Sequence, residues 1–202
     1  MWERLSHPWK GCVEQAWQAY CGGALPIGAV VVSKSGEVIG KGRKLGGNRL
    51  AHAEVNALLA ADFAEHNPSE CTLFTTTEPC PFCVGAIVMA NVKRFYFASR
   101  DPWSGSVELL TASNYMRRQE VKATGPENDE LEILIVAIQV EAHLRSSAER
   151  SQPILDAWRS VVATGVLLGE QLFRSGDLVR MAEQNTPASI VFDHLAKSIT
   201  VE

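Results

Sequence analysis

His52-Ala53-Glu54 and Pro79-Cys80-Pro81-Phe82-Cys83 are the two stretches around which the chain is organised. They set out three metal ligands of suitable softness, His52, Cys80 and Cys83, and one carboxylate, Glu54, that is not needed as a ligand. A structural zinc site is usually closed by four protein ligands, whereas a catalytic one keeps a position open. One His and two Cys leave that position open. Glu54, two residues from His52, is placed to handle protons there. A Cys-x-x-Cys pair also serves as a redox dithiol, but that reading leaves His52 and Glu54 unexplained.

The two stretches sit at helix starts. Ala51 to Glu65 carries Val55, Leu58, Leu59 and Phe63 on one side, and Cys80 to about Ala90 reads as a second helix. Cys80 and Cys83 are three apart and share a face. A first turn is also where the helix dipole favours negative charge, and so a thiolate. A lone His in a first turn would more often be a cap or a core residue; the two cysteines reverse that expectation.

Around these helices the chain alternates. Trp9, Cys12, Val13, Ala16, Trp17 and Tyr20 repeat at helical spacing, and Gly22-Gly23 ends the run. The paired tryptophans read as a core face rather than a ligand shelf. Pro26 to Ser33 is a valine-rich buried strand, Ser35-Gly36 a turn, and Glu37 to Gly40 a return strand. Cys71 to Thr76, Val92 to Ala98 and Gln119 to Thr124 read as strands. Val107 to Arg118 and Leu131 to Arg145 read as helices. Such alternation gives layers of helix against sheet. Ser146 to Gln152 is polar and reads as a linker, followed by short amphipathic helices that Gly165 and Gly169 interrupt. Val191, Leu195 and Ile199 form one stripe, and His194 reads as structural. The expected organisation is a domain over 1–146 and a helical extension over 151–202.

Composition narrows the classes. With 46% hydrophobic and 21% charged residues over 202 positions, the chain suits one globular domain with an appendage. It holds no apolar run of bilayer length and no signal-peptide pattern at its start, so no membrane partner and a cytoplasmic location are expected. A net charge of −4 and a pI of about 5.8 weigh against a dedicated nucleic-acid binder. The remaining cysteines, Cys12, Cys21 and Cys71, read as small buried hydrophobes.

The His-x-Glu…Pro-Cys-x-x-Cys pattern is the signature of zinc deaminases acting on nucleobases. The sequence resembles the cytidine/deoxycytidylate deaminase superfamily from about Trp9 to about Arg145. It looks most like the branch with tRNA adenosine, guanine and cytosine deaminases. The resemblance rests on Pro26 to Val32, Ala51 to Glu54, Thr77 to Ile87 and Arg100-Asp101-Pro102, in the family's order. It implies a three-layer α/β/α sandwich with a five-stranded mixed sheet, and one Zn²⁺ per subunit on His52, Cys80 and Cys83. Glu54 would be the proton shuttle. A small amino-heterocycle would be the substrate, and the chain a homodimer.

The resemblance also implies substrate contacts. The first strand would line the base pocket near Gly28 and Ala29, although Gly28 reads equally well as a packing glycine. Backbone groups at Ala53, Glu78 and Pro79 would hold the leaving amine. Relatives often carry Gly-x-Asn-Arg where this chain has Gly42-Arg43-Lys44-Leu45. Asn48 stands as the replacement for that Asn, or the role is absent. The loop with Asp101 and Trp103 would close over the substrate, and Trp103 either stacks on a base or caps the core. Thr77 stands where the tRNA enzymes carry an apolar residue.

Three functions follow. The first is hydrolytic deamination of a base, nucleoside or small heterocyclic amine. The second is adenosine-to-inosine editing of tRNA at the wobble position, with Arg43, Lys44, Arg49, Lys93, Arg94, Arg117 and Arg118 as a basic tract. The third is a zinc-stabilised interaction module without catalysis, against which Glu54 argues.

Overall fold

The computed structural model describes residues 1–199; residues 200–202 of the segment read as 151–202 lie outside the described residues. One five-stranded sheet is built from β1 (Gly28–Val32), β2 (Val38–Arg43), β3 (Thr72–Thr77), β4 (Arg94–Ser99) and β5 (Lys122–Thr124), in the order β2-β1-β3-β4-β5. β1 runs antiparallel to both β2 and β3, while β3, β4 and β5 are parallel. The parallel β3–β4 step needs a crossover, and helix α3 (Pro81–Met89) supplies it.

Successive side chains of a strand point to opposite faces, and β1 feeds a core on each. Val30 and Val32 pack with helices α1 (His7–Cys21) and α5 (Asp129–Arg159). Ala29 and Val31 pack with α3 and with α2 (Ala53–Ala60). A strand buried on both faces reads as a continuous apolar run, which is how β1 reads in the sequence. The result is the expected three-layer α/β/α sandwich around a mixed sheet.

Gly28 is fixed by α1. A Cβ there would lie 2.2 Å from the Cys12 carbonyl oxygen and 2.4 Å from the Ala16 nitrogen. The helix therefore crosses β1 at a distance only glycine permits.

Several boundaries differ from the sequence reading. α2 stops at Ala60 rather than Glu65 because the chain turns back onto β2, where the Asp62 amide donates to the Ile39 carbonyl at 3.4 Å. The stretch read as one helix over Val107 to Arg118 is a 3₁₀ turn, Val107–Thr111, followed by α4 (Asn114–Arg118). Ser113 divides them, its hydroxyl accepting from the Met116 amide at 3.2 Å as an N-cap.

The largest difference is at 146–152, read as a linker. α5 continues through it to Arg159, broken only at Ser147 (φ −169°, ψ 105°). The Ser151 hydroxyl donates to the His143 carbonyl at 3.0 Å and spans the break. Polar composition marks a solvated face here, not a loop. α6 (Ala163–Ser175), α7 (Asp177–Glu183) and α8 (Ala188–Ile199) follow. Gly169 does not interrupt α6. A Cβ there would stand 2.6 Å from the Ala137 carbonyl oxygen, so it lets α6 lie against α5. Val191, Phe192 and Leu195 of α8 are fully buried in the core shared with α1 and α5. Among the described residues, no helix is long and apolar enough to cross a membrane.

Candidate metal centre and cavity

His52 is the N-cap residue of α2 and Cys80 the N-cap residue of α3, with Pro81 opening the first turn. Both helices thus direct their positive ends at one point. His52 Nδ1 lies 3.5 Å from Cys80 Sγ and 3.3 Å from Cys83 Sγ, and the two sulfurs are 3.7 Å apart. Zinc–sulfur bonds of about 2.3 Å and zinc–nitrogen bonds of about 2.0–2.1 Å at tetrahedral angles require edges of about 3.8 and about 3.6 Å. The three atoms therefore fit one zinc ion, with the fourth corner left to a non-protein ligand. The hydrogen bond from Cys83 is the first cause holding the Cys80 thiol down at about 5, and His52 contributes. Cys83 is pushed up, because the pair keeps one proton between them and the site is buried. The Phe82 ring meets the His52 ring edge-on at 5.6 Å.

Glu54, in the first turn of α2, is 4% exposed. Its Oε2 lies 3.3 Å from Cys83 Sγ. Burial pushes its carboxyl above the ordinary range. The carboxylate is beside the three ligands without belonging to them.

A cavity of about 320 Å³ opens over this group. Of the residues singled out in the sequence, His52, Ala53, Glu54, Thr77, Glu78, Cys80, Asp101 and Trp103 line it. Cys83 lies buried behind them. Gly28, Ala29, Asn48 and Pro79 are not in the lining. Gly28 and Ala29 are both in β1: Gly28 lies against α1 and Ala29 packs towards α2 and α3, and the Gly28 amide donates to Thr76 Oγ1 at 3.1 Å. Asn48 closes its own turn, accepting from the Leu50 amide at 2.9 Å. The Pro79 carbonyl accepts from the Ser106 amide at 3.0 Å.

Glu78 and Asp101 organise the loop after β4. The Glu78 carboxylate accepts from the amides of Asp101 (3.3 Å) and Val107 (3.5 Å). Burial raises its pKa. Asp101 accepts from the amides of Trp103 and Ser104, both at 3.0 Å. Trp103 stands at the mouth, 58% exposed. It lines the cavity and does not cap the core.

The sequence reading missed the opposite wall. Gln139, His143, Ile154 and Trp158 of α5 line the cavity, with Leu25, Ile27, Lys44 and Ser104. A signal was there: Gln139 and His143 are polar residues four apart on one face of a helical run rich in apolar residues. Lys44 donates to the carbonyls of Asn48 and Arg49, each at 3.3 Å. Burial lowers its pKa. The expected basic tract divides. Lys93 and Arg94 stand at the start of β4, whose other end, Ser99, pairs with Thr77 at the cavity. Five residues of strand put them roughly 17 Å away.

The chain matches the family model for the cytidine and deoxycytidylate deaminase zinc-binding region over residues 4–99, which contain all three ligands and Glu54. It is 33% identical over 121 residues to the tRNA-specific adenosine deaminase of Bacillus subtilis, covering 55% of this chain and 74% of that one. It is 31% identical over 102 residues to the cytosine deaminase of Candida albicans, covering 48% and 68%. A solved structure from Thermotoga maritima is a diaminohydroxyphosphoribosylaminopyrimidine deaminase/5-amino-6-(5-phosphoribosylamino)uracil reductase. It is similar with a TM-score of 0.52 and 25% identity, over 71% of this chain and 42% of that one. Some relatives are much longer: the chain spans 15% of the tRNA(Ile)-lysidine synthase of Deinococcus radiodurans, at 38% identity over 88 residues, or 41% of this chain. Signature, site geometry and matched residues agree, and the chain belongs to the cytidine and deoxycytidylate deaminase family.

Proposed function

We propose that this chain is a zinc-dependent hydrolase that deaminates a nucleobase, nucleoside or related small amino-heterocycle and releases ammonia. The observation that carries this reading is the buried Glu54 carboxylate, facing the cavity beside the ligand set without belonging to it. Zinc on His52, Cys80 and Cys83 supplies Lewis acidity at the position they leave open. Glu54 accepts a proton from the attacking water and delivers it to the ring nitrogen beside the amine-bearing carbon. The water oxygen stays as the new carbonyl oxygen. The carbon–nitrogen bond to the amine breaks, and the second water proton leaves with ammonia through Glu54. The N-termini of α2 and α3 favour the negative charge that builds at this point. Leu25 and Ile27 offer apolar surface to a flat ring.

A second reading is adenosine editing in tRNA, favoured by the identity to the Bacillus subtilis enzyme. The net charge of −4 and the distance of Lys93 and Arg94 from the cavity favour the first. As parts of the same proposal, the enzyme acts in the cytoplasm as a homodimer. Sedimentation at the monomer mass of 22.1 kDa would contradict the dimer.

The test is ammonia release by the zinc-loaded protein. The panel holds cytosine, guanine, adenine, their nucleosides and monophosphates, and aminated triazines and pterins. Turnover of a panel member supports the first reading. Silence across the panel with inosine formed in tRNA would replace it with the second.

A further inference from the structure

The family signature lies in the first half of the chain, yet one wall of the cavity comes from α5, beyond the matched residues. We infer that this wall sets specificity: Gln139 with Thr77 reads the edge of the heterocycle, and Ile154 with Trp158 limits the substrate to a free base. The inference deepens the deaminase reading and rests on it.

Gln139 Nε2 donates to Thr77 Oγ1 at 3.0 Å, in a pair buried on all sides except the cavity. The Thr77 hydroxyl keeps its own proton, and the Gln139 amide keeps its oxygen. The bond to Thr77 engages the amide nitrogen and not that oxygen. The pair thus presents a donor beside an acceptor. A ring whose N–H adjoins a carbonyl or ring nitrogen complements that edge. Groups of this kind, once buried, discriminate strongly against a ligand that leaves them unpaired.

The second half of the wall depends on the break in α5. After Ser147 the helix resumes and carries Ile154 and Trp158 to the cavity. Trp158 is 1% exposed, and its indole Nε1 donates to the Arg100 carbonyl at 3.1 Å, which holds the ring in place. His143 lies against it, with ring centroids 5.7 Å apart. The cavity volume of about 320 Å³ falls at the lower end of the range of about 300–1,000 Å³ for ligand pockets. Its charged lining is three carboxylates, Glu54, Glu78 and Asp101, against Lys44. The small volume favours a free base over a nucleotide or a strand of RNA.

The experiment pairs turnover with binding, using the zinc-loaded full chain and the variants Gln139→Leu and Ile154→Ala. Gln139→Leu is expected to raise KM for the preferred base about tenfold or more, the loss falling on KM rather than kcat. Ile154→Ala is expected to raise nucleoside turnover relative to base about tenfold. Gln139→Leu without a KM change, or wild-type protein that turns over nucleotide or tRNA as well as base, overturns the wall and leaves the deaminase reading standing. If wild-type protein turns over nothing, the deaminase reading fails, and thermal stabilisation by the oxo bases uracil, hypoxanthine and xanthine still tests the wall. Stabilisation lost in Gln139→Leu supports it, and no stabilisation of the wild type overturns it.

Discussion

The Glu132 carboxylate accepts three hydrogen bonds from Arg100: from its amide at 2.9 Å, its Nε at 2.8 Å and a terminal nitrogen at 2.7 Å. Glu132 is 2% exposed on the first turn of α5, and Arg100 begins the loop after β4. The pair ties the loop that carries Asp101 and Trp103 to the helix that carries Gln139. Arg100→Met removes the two guanidinium bonds and the opposite charge, leaving the buried carboxylate with the backbone amide alone. It should cost about 1.5–3 kcal/mol, read as a lower midpoint in urea. An unchanged midpoint would mean that the loop is held by other contacts.

Gly28 gives a second test. Alanine there drives a Cβ into the backbone of α1, at 2.2 Å from the Cys12 oxygen. Gly28→Ala should lose about 1–3 kcal/mol or more of stability. If stability stays level while KM rises, Gly28 contacts the substrate instead.

Zinc binding should be coupled to the fold. Cys80→Ser and Cys83→Ala should each take zinc content from one ion per chain to near zero. Chelation should lower the Tm of the wild type, since a ligand bound only by the folded state stabilises it. Full zinc content in Cys83→Ala would contradict the assignment of ligands.

Glu141 predicts a pH dependence. It is 1% exposed on α5; its Oε1 pairs with Arg145 at 3.5 Å, while among the described residues its Oε2 and the buried Tyr20 hydroxyl have no hydrogen-bond partner. Burial raises its pKa above the ordinary 4.5. The folded chain therefore keeps this proton to higher pH than the unfolded chain. The stability it contributes is whole below about 4.5 and is lost as pH rises through the raised folded value. Glu141→Gln removes that dependence. Its Tm should gain on the wild type as pH rises above about 4.5. A difference that stays constant as pH rises would show that Glu141 does not titrate in the folded chain.

The sandwich and the metal ligands were legible because each rests on local pattern. The valine run of β1 marks a strand covered on both faces, and the Cys80–Cys83 spacing survives any change of context. Helix ends were less legible. α2 stops at Ala60 because Asp62 bonds β2, a contact distant in sequence. Gly28 and Gly169 carried an ambiguous signal: glycine serves ligand approach and close packing alike at Gly28, and helix interruption and close packing alike at Gly169. The α5 wall was hidden for a further reason: Ile154 and Trp158 reach the cavity through the break at Ser147, which looks like a linker in the sequence.

The central claim is that Glu54 moves the protons of a zinc-assisted deamination. The most direct measurement is ammonia release by zinc-loaded wild-type protein and by Glu54→Ala, with the zinc content of both determined. The account predicts equal zinc and a kcat lower by about 10²–10⁴ in the variant. Equal zinc with full activity in Glu54→Ala would contradict it.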